Sequence, residues 1–139
     1  MIRQFRFPDD LPQVLALWGQ SGPGVRLGRS DTPGEIAKKF QRDPELFLVD
    51  DDDGRIIGTV IGGFDGRRGL VYHLAVAPSN RRQGIGKALM QELENRLRNK
   101  GCHRSYLLVV RENLDAIHFY ERHGWQRMEH VFVYGKDLD

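Results

Sequence analysis

Arg81-Arg82-Gln83-Gly84-Ile85-Gly86-Lys87-Ala88 follows a strand-like apolar stretch that ends at Val76 and opens a helical pattern that continues to Lys100. Strand, glycine turn and helix in that order form the layout of a phosphate cradle. The glycines let the backbone turn its N–H groups inward, the helix start presents the positive end of its dipole, and the arginines and lysine add charge. Two familiar cradles fail on spacing. A Walker loop requires glycine five residues before Gly86 and serine or threonine after Lys87, where this chain has Arg81 and Ala88. A dinucleotide fingerprint starting at Gly84 requires a third glycine at the position of Leu89.

Outward from the cradle, strand and helix periodicities alternate. Ile2 to Phe7 reads as a first strand ended by Pro8, and Asp9 or Asp10 can cap a helix with apolar positions Leu11, Val14, Leu15 and Trp18. Gly19 to Ser30, rich in glycine, reads as a loop. Thr32-Pro33-Gly34-Glu35 offers a capping box for a helix through Phe40 that must stop before Pro44. Leu46 to Val49, Ile56 to Phe64 and Leu70 to Val76 are apolar runs divided by the turn signals Asp53-Gly54 and Asp65-Gly66, which predicts an antiparallel meander. The helix after the cradle repeats Ile85, Leu89, Leu93 and Leu97 on one side, with Gly101 placed as its C-terminal cap. Ser105 to Val110 reads as a strand, Leu114 to His123 as a helix capped by Asn113 and closed by Gly124, and Val131 to Lys136 as a last strand. This order predicts an α+β fold, a mixed sheet flanked by helices. With no linker and no repeat in sight, one domain spanning residues 1–139 is expected.

Composition narrows the function classes. Among 139 residues, 21 basic and 19 acidic side chains leave a net charge of only +2, so no long-range field points to nucleic acid or membrane as a partner. The first thirty residues lack an apolar leader, and no run approaches the roughly 20 apolar residues of a membrane span. Cys102 is the single cysteine, which excludes an internal disulfide and suits a reducing cytoplasm. Asp50 to Asp53 with Gly54 fails as a calcium loop, because the first and twelfth ligand positions are Val49 and Val60. His118 and His123 miss same-face helical spacing and Cys102-His103 has no second pair, so no metal site is expected.

The pattern Arg81-x-x-Gly84-x-Gly86, preceded by Leu74-Ala75-Val76-x-Pro78, resembles the acetyl-CoA site of the GNAT N-acetyltransferase superfamily. A second segment of that family follows in order, Asn113-Leu114-Asp115-Ala116-Ile117-His118-Phe119-Tyr120-Glu121-Arg122-His123-Gly124-Trp125. The resemblance covers nearly the whole chain, and Ile57-Gly58-Thr59-Val60 with Gly62-Gly63-Phe64-Asp65-Gly66 resembles the small bacterial YpeA-type branch. It implies the GNAT (acyl-CoA N-acyltransferase) fold, with a mostly antiparallel sheet splayed at strands 4 and 5 near Val76 and Val110. The pantetheine arm of acetyl-CoA, a cosubstrate, would enter that gap along the backbone of Leu74, Ala75 and Val76. The pyrophosphate would rest on Arg81, Arg82, Gln83, Gly84, Ile85, Gly86, Lys87 and Ala88. Asn113, Ala116 and Tyr120 would line the arm, and Tyr120 would be the general acid for the leaving thiolate.

The activity implied is acetyl transfer to a primary amine, on a small molecule or on a protein lysine or N-terminus, by direct attack in a ternary complex. The alternative is a non-catalytic acyl-CoA-binding or regulatory domain. Partners are then acetyl-CoA and an amine acceptor, with no nucleic acid, no membrane and a homodimer as an open assembly state. An alkylammonium of pKa about 10.4 must lose a proton before it attacks. The glutamate positions that many relatives use for this fall on Leu70 and Leu108, neither of which can act. Tyr72, His73 and Glu112 are the remaining polar candidates.

Overall fold

Apolar runs divided by turns lay five strands side by side in the order of the sequence, as seen in a computed structural model that describes residues 1–139. The strands are β1 (Ile2–Gln4), β2 (Phe47–Asp52), β3 (Arg55–Phe64), β4 (Gly69–Val76) and β5 (Ser105–Leu107). The helices are α1 (Leu11–Gly19) and α2 (Pro33–Arg42) before β2, α3 (Ile85–Asn99) after β4, and α4 (Leu114–Arg122) after β5. The first four strands pair antiparallel, whereas β5 runs parallel to β4, so the class is α+β with a mixed sheet. None of the helices is long and apolar enough to cross a membrane.

Each face of the sheet buries its own apolar cluster. Along β2, Phe47 and Val49 join Val14, Trp18 and Ile36 beneath α1 and α2, while Leu48 joins Leu89, Leu93 and Leu97 beneath α3. That separation is the period-2 rule of a strand buried on both sides. The helix α3 lies directly on β3, and two glycines make the approach possible. A Cβ at Gly62 would come within 2.6 Å of Leu93 Cδ1, and one at Gly58 within 2.9 Å of Ile85 and Leu89 methyl carbons. At the far edge, Arg3 bridges Asp10 (2.7 Å) and Asp51 (3.0 Å), tying β1 to the start of α1 and the end of β2. Asp10 stands at the N-cap position of α1 without capping it, because its carboxylate instead accepts from Arg3 and from the Arg6 N–H at 2.8 Å. Burial opposes its charge, yet these bonds hold it below the usual carboxylate range. Thr32 does cap α2, accepting the Glu35 N–H at 3.3 Å.

A bulge interrupts β4. Thr59 opposes Ala75 and Ile61 opposes Tyr72, so Val60 faces the two residues His73 and Leu74. His73 takes a φ of +55°, a left-handed conformation unusual for a residue with a Cβ. Side-chain alternation slips by one there. Val71 and Leu74 belong to the α3 side, whereas Tyr72 packs on the α1 side and His73 meets the Trp18 ring edge-on at 4.8 Å between centroids.

Two sequence expectations are corrected. The strand expected from Ser105 to Val110 stops at Leu107, and the strand expected over Val131 to Lys136 does not form. Phe132 and Tyr134 are 86% and 91% exposed and Val131 and Val133 are also exposed, so this β-prone apolar run has neither face buried against the sheet. Without a buried face or a ladder partner, β propensity alone does not hold a strand.

Adding methyl groups under α3 should cost stability. Gly62→Val is expected to destabilise by about 1–3 kcal/mol through overpacking against Leu93, as measured by urea unfolding. Gly34→Ala in the first turn of α2, where a Cβ meets open space, should leave the midpoint unchanged or slightly raised.

Candidate active site

The ladder between β4 and β5 contains only the pairs Gly69 with Ser105, Leu70 with Tyr106 and Val71 with Leu107. Beyond Val71, β4 continues to Val76 with no strand paired along that edge, and the two strands diverge into a gap. The Ala77 N–H donates to Ile57 O at 2.8 Å, so strand alternation turns the backbone of Val76 away from β3 and toward the gap. Arg81 folds back over this end, its Nε donating to Val76 O at 3.4 Å, which leaves the Val76 N–H as the free donor. Leu74 lines the α3 face of the gap, and Ala75 pairs with Thr59 and is buried on the opposite face.

The cradle stands at the gap's end. Arg82 and Gly84 both have positive φ, +63° and +79°, and Gly84 is the residue from which α3 starts. The first helical bond is Ala88 N–H to Gly84 O at 3.0 Å, so the backbone N–H groups from Arg82 to Lys87 have no acceptor within the protein. Such a run of converging donors at a helix start is an anion-binding nest. The Arg81, Arg82, Gln83 and Lys87 side chains are exposed around it, adding positive charge, while Ile85 turns into the core. Gly86 faces the adjoining helix: a Cβ there would sit 3.4 Å from the Phe119 ring and 3.7 Å from Val76. These features fit a diphosphate with an attached arm running up the gap.

From the other wall, Asn113 caps α4 by accepting the Ala116 N–H at 3.2 Å, and its amide nitrogen lies near Gly24 of the loop after α1. Phe119 contacts the cradle helix, and Tyr120, like Leu74, Ile85 and Leu107, packs against the α3-side cluster, its ring edge-on to Phe119 and Trp125. Burial pushes the Tyr120 phenol up to about 12, and no hydrogen bond contributes to that shift. The group therefore stays protonated through the neutral range and is available as a donor.

On the opposite face, the bulge presents Tyr72 and His73 toward α1 and the loop before α2. His73 Nε2 lies 2.7 Å from Asp31 Oδ1, and Asp31 Oδ2 accepts the Gly28 N–H at 2.8 Å. Tyr72 is raised to about 12 by burial, with Asp43 and Asp31 adding like-signed charge. Leu70 and Leu108 are exposed apolar side chains, and Glu112 is exposed in the turn before α4. Asp31 has no local sequence signal, because its partner lies 42 residues away and is aimed by the bulge.

Residues 12–125 match the family described as the Acetyltransferase (GNAT) family. An acetyltransferase of Pectobacterium atrosepticum is 38% identical over 137 residues, 99% of this chain and 94% of that protein. Among solved structures, Ard1 from Thermoplasma volcanium superposes with a TM-score of 0.78 at 27% identity, covering 89% of this chain and 80% of its own. Naa20 of Chaetomium thermophilum, solved in complex with a bisubstrate analogue, gives 0.76 at 28% identity, covering 89% and 70%. The splayed strands, the cradle and these likenesses together make the chain a member of the GNAT family, an N-acetyltransferase with acetyl-CoA as its cosubstrate.

Proposed function

We propose that the acceptor is a primary amine, on a small molecule, a lysine or a protein N-terminus, which attacks the thioester directly while both substrates are bound. The observation that supports this reading is the gap between β4 and β5 with a cradle of free N–H donors at one end, and Tyr120 on α4, kept protonated by burial, is the acid we assign to it. The nest from Arg82 to Lys87 holds the pyrophosphate, and Arg81 and Lys87 screen its charge. Leu74, Ala75 and Val76 run beside the pantetheine arm, with Asn113 and Ala116 on the far wall. The Val76 N–H, free on the gap side, supports negative charge on the carbonyl oxygen during attack. Tyr120 donates to the sulfur as the C–S bond breaks. With a phenol pKa of about 12, it is a strong enough donor only when placed directly on the thiolate.

The chain acts as one domain over residues 1–139 in a reducing cytoplasm, in keeping with a lone cysteine, Cys102, that is buried and unpaired by any disulfide. The small net charge of +2 fits a soluble substrate better than nucleic acid or a membrane surface.

Two substitutions separate the binding role from the chemical one. Gly84→Val forces a β-branched residue into a left-handed conformation and closes the nest, so titration calorimetry should show acetyl-CoA affinity falling tenfold or more, beyond the ~1–2 kcal/mol of backbone strain seen in unfolding. Unchanged affinity would remove the cradle assignment. Tyr120→Phe deletes one hydroxyl and leaves the ring packing in place. In a thiol-release assay with an amine acceptor, kcat should drop by about 100-fold or more, with acetyl-CoA affinity and melting temperature nearly unchanged. Wild-type turnover, with chemistry limiting, would return Tyr120 to a packing role.

A further inference from the structure

We propose that His73, held by Asp31, is the general base that deprotonates the acceptor amine. The inference rests on the reading of this enzyme as an amine acetyltransferase and names a residue that the two leucines, Leu70 and Leu108, leave unassigned. The first support is strain. His73 adopts a φ of +55° at a bulge, a strained conformation for a residue with a Cβ, and such strain persists where a side chain must be aimed. The slip in alternation takes His73 off the α3 face, where strict alternation would place it with Val71, and puts it beside Trp18 on the face of α1.

The second support is the hydrogen-bond pattern. Asp31 is an acceptor only, so Nε2 is the donor in the 2.7 Å contact, and in the neutral ring the lone pair then sits on Nδ1. The carboxylate is itself fixed, through its second oxygen, by the Gly28 N–H. Nucleophile-activating imidazoles in unrelated enzymes are oriented by a carboxylate in the same way. Both side chains keep a little exposure, 16% for His73 and 13% for Asp31, so a substrate or one water can reach the ring.

The third support is the geometry of the gap. His73 stands on the α1 face and Tyr120 in the α3-side cluster, with the unpaired edge of β4 between them. An acceptor approaching from the α1 face meets the base first, and the sulfur leaves toward the acid. Nδ1 takes one proton from the ammonium, directly or through a water, and the amine lone pair then forms the C–N bond as the carbonyl pair moves to oxygen. The C–S bond breaks with its pair on sulfur, which takes the Tyr120 proton. Solvent returns the proton lost by the new amide nitrogen to Tyr120, and the imidazolium releases its own to bulk water.

Few other charges face this ring. The helix α1 and the turn Gly22–Gly24 carry no titratable group, and the facing β3 residues are Thr59, Val60 and Ile61. Tyr72 adjoins the ring at 5.4 Å between centroids, and Asp43, which acts on Tyr72, is paired with Lys39 at 3.0 Å and Arg42 at 3.7 Å. Arg29, two residues from Asp31, is engaged by Asp137 and Asp139.

The test is a pH profile of kcat/KM on a panel of peptide α-amines, peptide lysines and polyamines, whose acceptor pKa values run from about 7.7 to about 10.4. Wild type should show an ascending limb at one pH whatever the amine. His73→Gln should lose that limb, follow the free-amine fraction instead, and fall by about 100-fold in kcat/KM with acetyl-CoA affinity intact. Asp31→Asn, which cannot accept in the same way at both oxygens, should shift the limb and lower kcat more than it raises KM. A limb that survives in His73→Gln overturns the proposal. If that variant does not fold, an unmoved limb in Asp31→Asn overturns it. Wild type that binds acetyl-CoA but acetylates no amine of the panel defeats the amine reading itself, and the base with it.

Discussion

The short ladder between β4 and β5 is the constraint on which the rest depends. Three parallel pairs hold the strands together at Gly69–Val71 and no further. Every residue beyond them on the gap side of β4 has backbone groups with no strand to satisfy them. Unpaired polar groups in a partly buried cleft are costly unless something else bonds them. The chain answers once, with Arg81 on the Val76 carbonyl, and leaves the Val76 N–H open. An elongated ligand with alternating amides is the natural complement to such an edge, as a strand would be.

Keeping that gap open while the sheet stays rigid requires close packing behind it. The helix that carries the cradle is pressed onto β3 through Gly58 and Gly62, and α4 is pressed onto the cradle through Phe119 against Gly86. The N–H nest, the free strand edge and Tyr120 are thus located by contacts with little slack, since protein interiors tolerate few shifts of even a methylene. The bulge performs the matching task on the other face. One extra residue in β4 shifts the register and turns the His73 side chain to the α1 face.

The antiparallel meander, the long helix and its glycine cap were legible because each carried a strong periodic or turn signal, such as Asp53-Gly54 or the Leu89, Leu93, Leu97 stripe. Gly84 was legible too, since only a glycine or a strained residue serves at +79°. Less legible was where a strand would end. Ser105 to Val110 is apolar after its first residue and carries the β-prone Tyr106, Val109 and Val110, yet pairing stops at Leu107 because the partner strand diverges, a tertiary fact. Val131 to Lys136 shows the converse, since a run of β-prone residues forms no strand when the sheet offers no partner. The bulge at His73 leaves no mark in composition, and Asp31 lies in a loop whose glycines conceal a 3-10 turn at Arg29–Asp31.

Charge gives the two mouths of the gap opposite characters despite a net charge near zero. At the cradle, Arg81, Arg82 and Lys87 surround donors with no anionic side chain paired to them. On the α1 side, Asp31 is balanced only by an imidazole and a backbone N–H, neither a fixed cation. A diphosphate is drawn to the first mouth and repelled from the second, and an alkylammonium experiences the reverse. Because such local fields act within about a Debye length of 8–10 Å in physiological salt, the sorting needs no overall charge imbalance. On the proposed reading, the carboxylate that orients His73 would also favour the approach of a protonated amine, so that recognition and deprotonation of the acceptor would fall to one side-chain pair.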